Sequence, residues 1–139
     1  MRYILLALAA FGIVASTLAL REHYRTEGDA PCSINERWDC GIVNKSPYAV
    51  VPGTGIPVAA LGIAGYLFLG AFAWRRAWRM LLAAALAGLA FSLYLAHIEA
   101  HILGVWCIYC VISLADISLL TLLALATAAA PLFRKSSQA

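Results

Sequence analysis

"MLLAAALAGLAFSLYLAHIEAHILGVWCIYCVISLADISLLTLLALATAAAPL" (residues 80–132) holds two apolar runs, Met80 to about Leu103 and about Val105 to Leu132, parted only by a turn at Gly104. Each run is near the roughly 20 residues a helix needs to cross the hydrocarbon core of a bilayer. Working outward, Ile56 to Trp74 and Tyr3 to Leu20 have the same character. Lipid offers the backbone no partners, so each run must close its own hydrogen bonds, and as a single segment only a helix does so. The composition agrees: 63% hydrophobic against 12% charged residues lies outside the soluble range. The expected fold is therefore an all-α membrane protein, a four-transmembrane-helix bundle. A single membrane domain over 1–139 is expected, with spans at about 3–20, 56–74, 80–103 and 105–132.

The charges read as topology. A formal net charge of +3, with Lys and Arg dispersed between the spans, is no nucleic-acid footprint. Arg75, Arg76 and Arg79 crowd the short turn between the second and third runs, Arg2 precedes the first, and Arg134 and Lys135 follow the fourth. By the positive-inside rule these places are cytoplasmic, so both termini are expected inside. The long loop between helices 1 and 2, Arg21 to Gly55, then faces outward. Its Arg21, Arg25, Arg37 and Lys45 are offset by Glu22, Glu27, Asp29, Glu36 and Asp39. Met1-Arg2 ahead of "LALAA" also permits a cleaved signal peptide. Losing the first run would leave an odd number of spans, so it is read as retained.

The four cysteines form two sets on the outward side: Cys32 and Cys40 as C-x7-C in the loop, Cys107 and Cys110 as C-x2-C where the fourth span begins. A helix N-terminus favours a thiolate, because its free amides and dipole stabilise negative charge. Helical spacing places both sulfurs on one face, with Cys110 about 4.5 Å deeper at 1.5 Å per residue. Three readings stay open on this ground: a redox relay between the pairs through mixed disulfides, structural disulfides in an oxidising compartment, or soft-metal ligands of a cysteine-based transporter. The C-x7-C spacing fits zinc poorly.

The order of features is more specific than any one of them. "CSINERWDC" is followed by "GIVNKSPYAVV", "GTGIPVAALGIAGY" and "YLAHIEAHILGVWCIYCVIS". The chain resembles the vitamin K epoxide reductase family, most closely its bacterial members without a fused thioredoxin-like domain, over roughly Leu5 to Ala130. The resemblance implies a quinone-dependent thiol oxidoreductase of the plasma (inner) membrane, with its active site on the periplasmic or extracytoplasmic side. Cys32 would meet a separate thioredoxin-like (DsbA-like) protein, Cys40 would shuttle to Cys107, and Cys110 would pass electrons to a membrane quinone of ubiquinone, menaquinone or vitamin K type. Ser46, six positions after Cys40, would help form the site near the quinone. No metal is implied. The vertebrate enzymes carry an asparagine in a longer stretch before the second span and a tyrosine four residues after the last cysteine. Here the stretch is Gly41 to Thr54, its asparagine is Asn44, and the latter position is Leu114. Vitamin K epoxide reduction and coumarin-type inhibition are therefore not carried over.

Several residues remain to be placed. Ala84, Gly88, Ser92, Ala96 and Ala100 form a small-residue row expected to let a neighbouring helix approach. Gly53 and Gly55 suit unusual backbone angles and Pro57 a first helical turn. Trp38 and "YAVV" either lie across the bundle mouth or, with Trp106, sit in an interfacial aromatic belt. His97 and His101 read as interfacial polar residues, whereas Glu99 is a candidate proton relay beside the thiols. Asp116 is a functional candidate by its depth, although its offset of about 240° from Cys110 turns it elsewhere.

Overall fold

The structure is a computed structural model that describes residues 1–26 and 31–138. Glu27 and Asp29 of the long loop lie outside the described residues. Its long elements are helices: α1 (Arg2–Tyr24), α3 (Val58–Trp74), α4 (Trp78–Ile98) and α5 (Ile108–Ser137), with a short α2 (Cys40–Lys45) in the loop. The helix α4 runs on into one π-type turn, Glu99–Leu103. Three helices are long and apolar enough to cross a membrane: α1, α4 with its π turn, and α5. The fourth, α3, has 17 residues, about 25 Å at 1.5 Å per residue, the short end of the spanning range. The all-helical, membrane-type fold read from the sequence is thus present.

In the bundle, α1 packs on α3 and α5, and α4 packs on α5 and α3. Leu5 and Ala9 of α1, Leu69 and Ala73 of α3, Leu81 of α4 and Leu120 of α5 belong to one buried core. The outside is apolar as well: Phe68, Leu93, Leu122 and Leu125 project from the helices, as suits a chain whose solvent is lipid tails. The motif opening α3 builds its contact with α1. Gly62 faces Ser16, and a Cβ on Gly12 would fall within the Tyr66 ring. Tyr66 is buried, and its hydroxyl bonds the Ser113 carbonyl at 3.0 Å, which ties α3 to α5.

The turn between α3 and α4 takes a form its composition hides. Arg76 adopts φ 57, a left-handed conformation usually left to glycine. Arg76 N–H bonds Ala73 O and Ala77 N–H bonds Phe72 O, the paired bonds of a Schellman cap. Arg2, at the start of α1, stacks over Trp74 at the end of α3, 5.2 Å from the ring centroid, so the basic residues at these two places share one end of the bundle. At the other end Gly53 and Gly55 take φ 78 and 67, and Val51 N–H bonds Ile56 O at 2.9 Å, folding the loop back into α3. Pro57 stands just ahead of that helix as its N-cap rather than within its first turn.

Helix ends depart from the expected spans: α3 and α4 begin at Val58 and Trp78 rather than Ile56 and Met80, α5 ends at Ser137 rather than Leu132, and two further boundaries have a clear cause. The apolar run from Tyr3 continues as helix to Tyr24, beyond Leu20, because Arg21 and His23 tolerate helix once the run is under way and suit its negative end. At the other boundary α5 begins at Ile108, not Val105. Gly104 turns the chain with φ 66, and Trp106 is held extended because both its main-chain groups are committed elsewhere: N–H to Arg37 O (2.7 Å) and C=O to Asp39 N–H (3.0 Å).

Candidate active site

The loop and the start of α5 are joined by main chain. Residues 37–39 lie beside Trp106, with a parallel bridge between Trp38 and Trp106, and the two indole rings meet at 6.4 Å. From this anchor Asp39 caps α2, its Oδ1 accepting the Ile42 N–H (3.2 Å) and the Ser33 hydroxyl (2.9 Å). Cys40 is the first residue of the capped helix and pairs with Cys32 as a disulfide. Cys107 and Cys110 are free thiols.

All four cysteines gather in one place. Cys32, Cys40, Val43 and Cys107 form one buried cluster, and Cys110 packs against it. Of the C-x2-C pair, only Cys110 is helical. Cys107 is extended, with φ −102 and ψ 122, as the N-cap of α5. The expected placement of both sulfurs along one helical face is therefore corrected: the bridge to the loop pulls Cys107 out of the helix and turns it toward Cys40's cluster. Cys107 lies in the connection ahead of the span, and the Cys110 thiol that donates to its sulfur holds it below the ordinary thiol pKa, against the opposing effects of burial and the Glu99 charge.

Glu99 turns inward from the π turn and is 3% exposed. Its Oε2 accepts the Cys107 N–H at 3.0 Å, satisfying one of the amides a helix start leaves open. His97 and His101 lie on the exposed side with ring centroids 4.6 Å apart. Among the described residues, no three His, Cys, Asp or Glu side chains are grouped as a metal site would need.

A cavity of about 490 Å³ lies between the helices beneath the cysteines, lined by residues of α1, α3, α4 and α5. Cys110, Glu99 and Trp106 stand on its lining, along with Tyr66 and Ser113. The small-residue row does two things. Gly88 packs at Ile117, where a Cβ would lie 3.4 Å from Cδ1. Ala84, Gly88, Ser92 and Ala96 also line the cavity, their short side chains leaving its volume open. Trp106 is thus part of the wall, whereas Tyr48, at 43% exposure, is not.

Ser46 is not brought to the cavity. Its hydroxyl donates to Val43 O at 2.8 Å and closes α2. In its stead stands Asn44, singled out from the sequence only as an asparagine early in the loop. It is 6% exposed and lines the cavity. Its Nδ2 donates to Cys40 O (2.9 Å) and to Cys107 Sγ (3.4 Å). The signal that locates it is the interval Cys40 to Asn44, which places both on one face of a helix. Asp116, as its angular offset required, is not on the cavity lining. It is 4% exposed and interacts with the Tyr66 hydroxyl, though neither carboxyl oxygen reaches hydrogen-bond geometry among the described residues.

The Cys32–Cys40 disulfide and the Cys107/Cys110 thiols are in contact, an arrangement chemically able to exchange disulfide bonds between the two pairs, and Cys110 opens on an apolar cavity inside a membrane-type bundle. Comparison with curated proteins found no match. A model of the vitamin K epoxide reductase family matches residues 3–127. With nearly the whole chain inside that match, the chain belongs to the vitamin K epoxide reductase family, whose members are membrane thiol-disulfide oxidoreductases.

Proposed function

We propose that the protein is a quinone-dependent enzyme that forms disulfides in a separate thioredoxin-like partner on the extracytoplasmic side. The observation that carries this reading is the single buried cluster in which the Cys32–Cys40 disulfide meets Cys107, with Cys110 opening on the cavity. The partner's thiols reduce Cys32–Cys40, and the partner leaves oxidised. Cys40 thiolate then attacks Cys107 of a Cys107–Cys110 disulfide, forming Cys40–Cys107 and releasing Cys110 as thiolate. Cys32 attacks Cys40, re-forming Cys32–Cys40 and releasing Cys107. The two electrons now reside on the Cys107/Cys110 pair. Their transfer to the quinone gives the quinol and restores Cys107–Cys110.

The cavity suits this acceptor, since its walls are apolar and a few polar groups converge on it, the usual composition of a site for a flat organic molecule. Glu99, within reach of both thiols, takes and returns protons as the pair changes state. Ser46 acts at one remove, closing the helix that carries Cys40. The orientation rests on Arg2, Arg75, Arg76 and Arg79, which mark the cytoplasmic end and leave the cysteines outside.

The test is direct. Purified protein given a quinone and a reduced thioredoxin-like substrate should oxidise the substrate and reduce the quinone in equal amounts, and Cys110→Ala should abolish both. Turnover that survives Cys110→Ala, or uptake of soft metal without any quinone reduction, overturns the proposal.

A further inference from the structure

Asn44 commits both protons of its amide. One goes to the carbonyl of Cys40, four residues back along α2, and the other to the sulfur of Cys107, 63 residues away in sequence. Its own backbone carbonyl accepts a hydrogen bond from Nδ1 of His23 near the end of α1. One side chain thus bridges the two cysteines that must exchange a bond, and the main chain that carries it is braced against a spanning helix. An amide is a donor of fixed charge across the working pH range. A hydrogen bond from it to a sulfur strengthens as that sulfur gains negative charge.

We infer that Asn44 is a catalytic residue of the exchange between the pairs, holding the Cys107 sulfur against Cys40 and stabilising the thiolate that forms there. This rests on the relay proposed above. In the resolving step Cys32 thiolate attacks Cys40 Sγ, the Cys32–Cys40 bond forms, the Cys40–Cys107 bond breaks, and the electron pair of the broken bond stays on Cys107. The Nδ2 proton lies on the atom that receives this charge. A thiol with a lower pKa leaves faster, so the bond accelerates the step that frees the loop. Cys107 is faced by Cys110 from α5, by Glu99 from the π turn after α4, and by Asn44 from α2. Of the three, Asn44 is the one whose favourable effect does not depend on its own titration.

The test uses full-length protein carrying Cys110→Ala, with Cys32–Cys40 oxidised, so that Cys107 is the sole free thiol and its thiolate is read by ultraviolet absorbance against pH. Asn44→Leu should raise the midpoint by about one pH unit, a roughly tenfold loss of thiolate below it, and Asn44→Asp, which puts an acceptor where the donor was, should raise it further. In the enzyme with all four cysteines, both variants should accumulate the Cys40–Cys107 mixed disulfide during turnover. A role in packing alone would loosen the loop and lower that species instead. An unmoved midpoint in Asn44→Asp, or less mixed disulfide than in the parent, overturns the inference. If the parent reduces no quinone yet the midpoint shifts, the inference stands and the quinone reading falls.

Discussion

Glu99 Oε2 accepts the backbone N–H of Cys107 at 3.0 Å, so the carboxylate that closes α4 also opens α5. Glu99→Ala leaves that N–H buried and unpaired, at a cost of about 1–3 kcal/mol, and should lower the melting temperature in detergent. Glu99→Gln keeps an acceptor in place and should melt near the parent. It also removes the negative charge that opposes the Cys107 thiolate, so the Cys107 midpoint should fall. A rise, measured by thiolate absorbance, would contradict this placement of charge.

Cys107 owes most of its lowered pKa to the Cys110 thiol, and the sign of its pH dependence follows. The thiolate is the reactive form, so alkylation of Cys107 in protein with Cys32–Cys40 oxidised should rise with pH, with a midpoint below the ordinary thiol value of about 8.5. Removing the donor with Cys110→Ala should move the midpoint upward. Mass spectrometry of alkylated peptides across pH would check both curves, and a midpoint that falls on this substitution would refute the assignment.

Gly12 and Tyr66 set the approach of α1 to α3. A methyl at residue 12 would collide with a ring that is buried and anchored by its hydroxyl to Ser113, so the ring has no easy retreat. Gly12→Ala should destabilise the bundle by about 1–3 kcal/mol, the usual cost of overpacking, despite the higher helix propensity of alanine. Restored stability in Gly12→Ala combined with Tyr66→Phe, which frees the ring from its anchor, would show that the hydroxyl bond is what makes the collision costly.

Asp116 has a carboxyl group buried in the bundle, in contact with the Tyr66 hydroxyl alone and outside hydrogen-bond geometry among the described residues. Burying a carboxyl on so weak a contact costs about 1–3 kcal/mol, so Asp116→Leu, of similar reach and without polar atoms, should raise the melting temperature. A marked fall would mean that the side chain carries a favourable interaction.

The four apolar runs and both cysteine pairs were legible because they rest on composition and short-range spacing, which the backbone's need for internal hydrogen bonds turns directly into helices. The elements that assemble the site were harder to read. Helix α2 is six residues long, too short for a hydrophobic period, although Asp39 just before Cys40 is a fair N-cap signal. The start of α5 was misplaced because Val105 and Trp106 look like more of the apolar run, and nothing local says that Trp106 spends both main-chain groups on residues 37 and 39. Asn44 is only half legible: its interval from Cys40 puts both on one helical face, whereas its contact with Cys107, 63 residues away, leaves no trace in spacing. Ser46 was drawn toward the cavity by resemblance, yet its hydroxyl finds the nearest free carbonyl, that of Val43.

The bonds between residues 37–39 and Trp106 have one more consequence. They run through amides and carbonyls alone, which every residue except proline supplies in full, so the knot that brings the two sulfur pairs together is indifferent to the side chains strung along it. Ile34, Glu36 and Arg37 stand exposed beside Cys32, and under the relay proposed above they are free to drift, or to be redesigned, toward a new client protein while the spacing of the sulfurs behind them is kept.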